Sequence, residues 1–357
     1  MTKDKGIFIK NIYYMLSYAF QVLKQSNYEN IASEEFEMVQ DLFAVILAKG
    51  VAKQLKQGLY REYVIQHENL AVMRGKLDMP ETIRNRIQRK QKLACEFDEL
   101  SENNLLNQII KTTIYYLIKD KEVSNGHKSD LNKILLFFDN IEILDPSSIE
   151  WGRLQYHRNN KNYEMLMNIC YFVLDGMLQT TEKGDYRMAT FADEHMARLY
   201  EKFILEYYRR NHTYLSEVRA AKVKWNLTGD NESAMIQFLP VMQTDIFLRY
   251  NEKILILDAK YYGQTLQTCF NRQTLHSSNL YQIFTYVKNQ DKDNTGNVAG
   301  MLVYAKIMEK ITPDCIFNMG GNQIGATTLD LNQEFKIIAK KLDEIAEEFF
   351  GKYEIVG

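Results

Sequence analysis

Apolar residues recur every three or four positions over residues 8–24, at Phe8, Ile12, Tyr13, Leu16, Phe20 and Leu23, and again over residues 38–55. That spacing gathers them on one face of a helix, so the chain is predicted to open with two helices. Over residues 59–78 the pattern turns to two β-rich pieces, 60–67 and 70–77, broken at Glu68-Asn69, which predicts a hairpin. Ser101-Glu102-Asn103-Asn104 then offers a capped start to a helix through Leu105, Ile109, Ile110 and Leu117. Further helices are predicted over 131–138 and 165–178.

The stretch Gln179-Thr180-Thr181-Glu182-Lys183-Gly184-Asp185 is polar and contains glycine, and the pattern changes after it. A domain boundary is placed there. Residues 1–185 read as an α+β domain, mostly helical with a small β element near 59–97, and residues 186–357 as a second domain. In that second domain helical spacing over 191–208 is followed by strand-like segments at 217–227, 235–250 and 253–262. A helix over 279–288, a strand over 298–306, more β structure to Leu331 and a helix over 335–349 complete it. The order suits an α/β domain with a mixed sheet flanked by helices.

Composition narrows the function without naming it. The chain has 357 residues, 46% apolar and 25% charged, which is ordinary globular composition with length for about two domains. No apolar run reaches a membrane span, and Met1-Thr2-Lys3-Asp4-Lys5 lacks the features of a signal peptide, so a cytoplasmic protein without membrane contact is expected. The four cysteines form no C-x-x-C pair and the six histidines no H-x-x-x-H, which leaves oxygen ligands and a hard ion as the expected metal chemistry. Neither G-x-x-x-x-G-K-[ST] nor G-x-G-x-x-G after a strand occurs, so any ATP or GTP would be bound by another subunit.

The net charge is −2, so nucleic-acid binding would need a local patch or a partner. Residues 82–92 supply such a patch: Arg84, Arg86, Arg89, Lys90 and Lys92, with no acidic residue among them. The run fits a solvated helix face, and it also fits contact with a phosphate backbone or an acidic partner surface. Just before it, Gly75 between Arg74 and Lys76 suggests a tight turn.

The sharpest chemical signal is Lys253-Ile254-Leu255-Ile256-Leu257-Asp258-Ala259-Lys260, an apolar strand that abruptly presents a carboxylate and an ammonium on one face. Upstream, Gln243-Thr244-Asp245-Ile246-Phe247-Leu248 is another apolar strand interrupted by one acid, and Arg249-Tyr250-Asn251-Glu252 can turn between them. A hairpin of this kind sets Asp245 beside Asp258. Two carboxylates in apolar strands are costly unless a cation compensates them, and Mg²⁺ is the natural candidate, with Lys260 placed to orient a nucleophile or stabilise developing charge.

This arrangement resembles the PD-(D/E)XK nuclease superfamily, with Thr244-Asp245 where the pattern has Pro-Asp and Asp258-Ala259-Lys260 as the second element. The resemblance implies an acid from the preceding helix, in Arg198-Leu199-Tyr200-Glu201-Lys202-Phe203. Glu201 is the choice there, with Glu206 its competitor. Leu280-Tyr281-Gln282-Ile283-Phe284-Thr285-Tyr286 is similar to the Q-x-x-x-Y element of some of these nucleases and makes Gln282 a candidate catalytic residue.

Further motifs extend the resemblance to one family: residues 9–19 (IKNIYYMLSYA), Arg74-Gly75-Lys76-Leu77, Cys95-Glu96-Phe97-Asp98 with Asn104-Leu105-Leu106-Asn107, and Thr244-Asp245-Ile246 with residues 256–262 (ILDAKYY). Together they resemble the McrC family, the nuclease subunits of McrBC 5-methylcytosine-specific restriction systems. The resemblance implies Mg²⁺-dependent cleavage of double-stranded DNA containing modified cytosine. It also implies a McrB-like AAA+ ring that binds and hydrolyses GTP and that the N-terminal domain docks onto and stimulates. On this reading Asp245, Asp258, Lys260, Glu201 and Gln282 are the catalytic set, Asp245 and Asp258 the metal ligands, and Arg74, Lys76, Arg84 and Arg86 the partner-binding cations. Two other readings stay open: an autonomous RecB-like repair nuclease, and a non-catalytic adaptor of an AAA+ motor.

Overall fold

In a computed structural model of the chain, the described residues are 2–20, 34, 36, 38–158, 160, 162–182, 186–227, 237–261, 267–269, 272–306 and 312–351. They divide into two compact units, Gln40–Leu178 and Met1–Val39 with Gln179–Gly357. The division at Gln179 lies in a helix rather than in a loop, and the last residues of the expected linker, 183–185, lie outside the described residues. Residues 1–39 group with the C-terminal unit, not with the N-terminal domain expected from the sequence. The reason is helix α1 (Thr2–Phe20), whose Asn11 Nδ2 donates to the carbonyls of Leu331 and Gln333 at 2.7 and 2.8 Å and whose Tyr14 stacks on Phe335 at 4.3 Å. A periodic apolar face tells that a helix must be covered and not by what.

The unit Gln40–Leu178 holds α2 (Val39–Gln57) apart from its first residue, β1 (Glu62–Leu70), β2 (Lys76–Leu77), α3 (Met79–Ile87), β3 (Leu93–Ser101), α4 (Leu105–Lys119), α5 (Asn125–Leu135) and residues 163–178 of α6 (Tyr163–Glu182). Asn104 caps α4 by accepting from the Asn107 N–H at 3.2 Å, and Ile109, Ile110, Ile114 and Leu117 on its inner face are fully buried. The hairpin predicted over 60–77 does not form. β1 runs through Glu68-Asn69 without a break, and β1 and β2 flank β3 in the order β1-β3-β2, both antiparallel to it. Gly75 adopts a φ of 67°, and a Cβ there would sit 2.3 Å from the Glu96 carbonyl oxygen, so only glycine lets this turn lie against β3.

The second unit continues with α7 (Tyr186–Asn211), β4 (Glu217–Arg219), β5 (Lys222–Val223), β6 (Met242–Gln243), β7 (Ile246–Tyr250), β8 (Lys253–Tyr261), β9 (Gln267–Cys269), β10 (Arg272–Thr274), α8 (Ser277–Gln290), β11 (Val298–Lys306), β12 (Cys315–Met319), β13 (Asn322–Asp330) and α9 (Phe335–Phe350). A mixed sheet of order β12-β13-β11-β8-β7-β4 is its centre, with β8, β11 and β13 parallel and the outer pairings antiparallel. β8 and β11 are buried along nearly their whole length, as strands covered on both faces must be. The single strands expected over 217–227 and 235–250 are each broken, at Ala220-Ala221 and at Thr244-Asp245, and the pieces β5 and β6 pair as a separate ribbon. Residues 228–236 and Tyr262 lie outside the described residues.

Two local features fix the site. Asn251, at a φ of 51°, makes the tight turn between β7 and β8, a conformation asparagine tolerates better than most residues. Gly300 on β11 lets α8 pack closely, since a Cβ there would be 2.6 Å from Ile283 Cγ1 and 2.8 Å from Val287 Cγ2. That contact seats the helix carrying Gln282 and Tyr286 on the sheet.

Candidate active site

β7 and β8 pair with Ile246 opposite Leu257, so Asp245, one step beyond, stands beside Asp258 on the same face of the hairpin. Thr244 holds the bend: its N–H donates to the Ala221 carbonyl at 2.9 Å, and its Oγ1 accepts from the Ala221 N–H at 3.2 Å. The Asp245 carboxylate is turned back onto β8, where Oδ2 accepts from the Ala259 N–H at 2.9 Å.

Asp258 is completely buried, and neither of its carboxylate oxygens accepts an aligned hydrogen bond. The Lys260 ammonium lies 2.6 Å from Oδ2 as a buried ion pair, and its side chain is itself only 14% exposed. Lys260 Nζ also donates to Gln282 Oε1 at 3.3 Å, and Gln282 Nε2 donates to the Tyr286 hydroxyl at 2.8 Å. A chain Asp258–Lys260–Gln282–Tyr286 thus joins β8 to α8.

Electrostatics reflect the crowding. Burial, then the charges of Asp258 and Glu201, push the Asp245 carboxyl up to about 8, with Lys260 and the Ala259 N–H acting the other way. Burial also raises Asp258, opposed by Lys260 and by its contact with Asp245. Glu201 is raised by burial, with Lys260 and Arg198 opposing and Asp258 reinforcing. Tyr286 is raised by burial as well.

Asp245 opens onto a cleft of about 410 Å³ lined also by Arg198, Glu201, Lys202, Gln243 and Thr244. The structure therefore brings Asp245, Asp258, Lys260 and Gln282 together and sets Glu201 on the adjoining wall. Glu206 is not on that wall. It is nearly buried and pairs with Arg209 one turn along α7. Sequence reasoning passes over Arg198, Lys202 and Gln243 as cleft residues. The signal available for the first two is their spacing, which puts Arg198, Glu201 and Lys202 on one helical face.

Among the described residues, no three histidine, cysteine, aspartate or glutamate side chains converge closely enough to hold a metal ion. The donor chemistry of the pair nevertheless fits a hard cation: two adjacent carboxylates, crowded enough that the charge of Asp258 raises Asp245, with a single ammonium beside them.

The partner-binding candidates lie in the turn before β2, on β2 and on α3. Arg74 lies 3.9 Å above the Phe97 ring and 3.5 Å from Glu99. Lys76 is exposed on β2, and Arg84 and Arg86 are exposed on α3, with Arg84 paired to Glu81 at 2.6 Å. Asp78 caps α3 by accepting from the Glu81 N–H at 3.1 Å. Among the described residues no helix is long and apolar enough to cross a membrane.

Comparison with known proteins agrees with the motifs. The family described as McrBC 5-methylcytosine restriction system component matches residues 3–305. A curated relative from Escherichia coli (strain K12), the type IV methyl-directed restriction enzyme EcoKMcrBC, is 30% identical over 346 residues, spanning 96% of this chain and 97% of the relative. Among solved structures, a half-complex from a tetradecameric assembly of Thermococcus gammatolerans McrB AAA+ hexamers with bound McrC aligns at 17% identity and a TM-score of 0.48, covering 94% of this chain and 76% of that one. The Thermococcus gammatolerans McrBC complex aligns at 18% identity and a TM-score of 0.42, covering 73% and 64%. On the family match and the curated relative, the chain belongs to the McrBC family of 5-methylcytosine restriction system components, as its McrC member.

Proposed function

We propose that this chain is the Mg²⁺-dependent DNA endonuclease subunit of a modification-dependent restriction complex, with the PD-(D/E)XK site at Asp245, Asp258 and Lys260. The observation that carries the reading is the buried Asp258 carboxylate beside Asp245 and Lys260, next to an open cleft, in a chain of this family. Two largely buried carboxylates set side by side with one ammonium beside them cost stability, which a catalytic role accounts for and packing does not.

Asp245 and Asp258 would hold the ion. Once bound, Mg²⁺ supplies polarisation of a phosphoryl oxygen and a lowered pKa for a coordinated water. The protein's own groups do the rest. The Ala259 N–H fixes the rotamer of Asp245, Gln282 holds the Lys260 ammonium between α8 and β8, and Tyr286 fixes Gln282. Lys260 is then poised to stabilise negative charge developing on a phosphate, and Glu201 stands on the cleft wall where it can orient an incoming water.

The sequence carries no phosphate-binding loop, so GTP belongs to a McrB-like AAA+ partner ring. The exposed cations Arg74, Lys76, Arg84 and Arg86 are the surface this reading assigns to docking and stimulation of that ring. The test mixes the chain with that partner, GTP and Mg²⁺, and compares cleavage of methylated and unmethylated duplexes by the parent and by Asp258→Asn. Cutting by the isolated chain without nucleotide would instead favour the autonomous repair nuclease. Equal cutting by Asp258→Asn would remove the site.

A further inference from the structure

We propose that the outer face of the β5–β6 ribbon, with Arg198 and Lys202 of α7 across the cleft, is a track for one phosphate backbone of duplex DNA leading to Asp245. This rests on the nuclease reading and names the surface that delivers its substrate.

The ribbon has one committed face. Lys222 pairs with Gln243 and Val223 with Met242. Val223 and Met242 are buried in the core with Phe247 and Ile256, so alternation turns Lys222 and Gln243 outward. One step further the same register sends Lys224 and Val241 outward, and both are exposed, Val241 to 72%. Trp225 closes the ribbon by donating from Nε1 to the Pro240 carbonyl at 2.8 Å. The outer face therefore presents two lysines, a glutamine and a valine, with no acidic residue between them.

That face runs without interruption into the cleft. Gln243 is one of its lining residues, and the bonds between Thr244 and Ala221 tie the ribbon to the bend that carries Asp245. Arg198 and Lys202 line the same cleft. Cations thus flank the carboxylates in a chain whose net charge is −2. Arg219, the cation before Lys222 in the chain, is held by Glu217, and the Lys202 ammonium lies 4.0 Å above the Phe20 ring. Lysine ammonium groups are point charges without a base-reading pattern, so the occupant is the sugar-phosphate backbone and the contact is blind to sequence.

The experiment uses the full chain carrying Asp258→Asn, so that substrate is not consumed, and follows binding of a short labelled duplex across a salt series. Replacing Lys222 and Lys224 with Ala is expected to weaken binding about tenfold at low salt. It should also lower the slope of log K against log salt by about 2, close to 1 per lost phosphate contact. The loss should be equal for methylated and unmethylated duplexes, and Lys222→Arg with Lys224→Arg should restore it. Circular dichroism confirms that each variant is folded. Unchanged affinity and slope would overturn the track, as would absence of duplex binding by the parent both alone and with its AAA+ partner. The nuclease reading fails separately, through undiminished cutting by Asp245→Asn and Asp258→Asn, a result the binding series does not use.

Discussion

The two charged regions of this molecule are built on opposite principles. At the β7–β8 hairpin, the Asp258 side chain is 1% exposed and Lys260 14%, and two adjacent carboxylates share one ammonium. In the turn before β2 and on α3, the Arg74 side chain is 52% exposed and Arg84 68%, and each has its own neighbouring carboxylate. Exposed pairs of that kind are worth about 0–1 kcal/mol and fold no worse without their partner. Buried like charges cost far more and persist only where another role selects them. The difference separates the site proposed to do chemistry from the surface proposed to make contacts, although both are clusters of ionisable residues.

The comparison breaks first at Asp258. Asp258→Asn should lower Mg²⁺-dependent DNA cleavage at least ~10³-fold, because it removes a ligand whose ion supplies several kcal/mol at the transition state. The same change leaves the buried Lys260 ammonium without the carboxylate 2.6 Å away, so the metal-free chain should lose stability rather than gain it. Undiminished cleavage by a folded Asp258→Asn chain would mean that Asp258 is a structural residue.

Lys260 and Gln282 come next. Lys260→Ala should reduce cleavage about 10²–10³-fold with Mg²⁺ affinity little changed, as expected for loss of one charge-stabilising group. Gln282→Ala should cost about tenfold, since it acts only by holding Lys260. Single-turnover rates beside Mg²⁺ titrations distinguish the two. Equal losses would place Gln282 in direct contact with the reacting groups.

The third prediction concerns pH. Asp245 is raised in the folded chain to about 8, above its ordinary carboxylate value, so the protonated form is favoured by folding. Its contribution to metal-free stability is fully present below the unfolded pKa of about 4 and is lost as pH rises through about 8. Denaturant midpoints of the metal-free chain should fall across that window, and Asp245→Asn should flatten the fall. Saturating Mg²⁺ should flatten it as well, by binding the ionised pair.

The smallest stability effect belongs to the exposed cations. Arg74→Ala with Arg84→Ala and Arg86→Ala should change the stability of the chain by less than about 1 kcal/mol. Stimulation of the partner's GTP hydrolysis should drop several-fold, with the remaining binding less sensitive to salt. Normal stimulation at every salt concentration would leave these cations as an ordinary solvated surface.

The candidate site is more legible in the sequence than the fold around it. Asp258 and Lys260 follow from period two on an apolar strand, and Asp245 from a turn whose Asn251 adopts the backbone the reversal needs. The partner of β1 is not legible, because β3 lies beyond the basic run and pairs non-locally, whereas the segments 60–67 and 70–77 are adjacent and suggest each other. The breaks at Ala220-Ala221 and Thr244-Asp245 are hidden for a similar reason. Each depends on the Thr244–Ala221 bonds between segments 23 residues apart.

What the sequence determines by itself is local: the helices through periodicity and caps, the alternation that sets an acid and a lysine on one strand face, and the tight turn signalled by the glycine at residue 75. The tertiary structure decides what is paired at a distance. It assigns α1 to the C-terminal unit through Asn11 and Tyr14, places Glu201 rather than Glu206 on the cleft wall, and links Lys260 to α8 through Gln282. It also buries Asp258 completely. Spacing along the chain fixes which side chains share a face, but burial and hydrogen-bond partners depend on which other face arrives, and that is set only when the whole core closes.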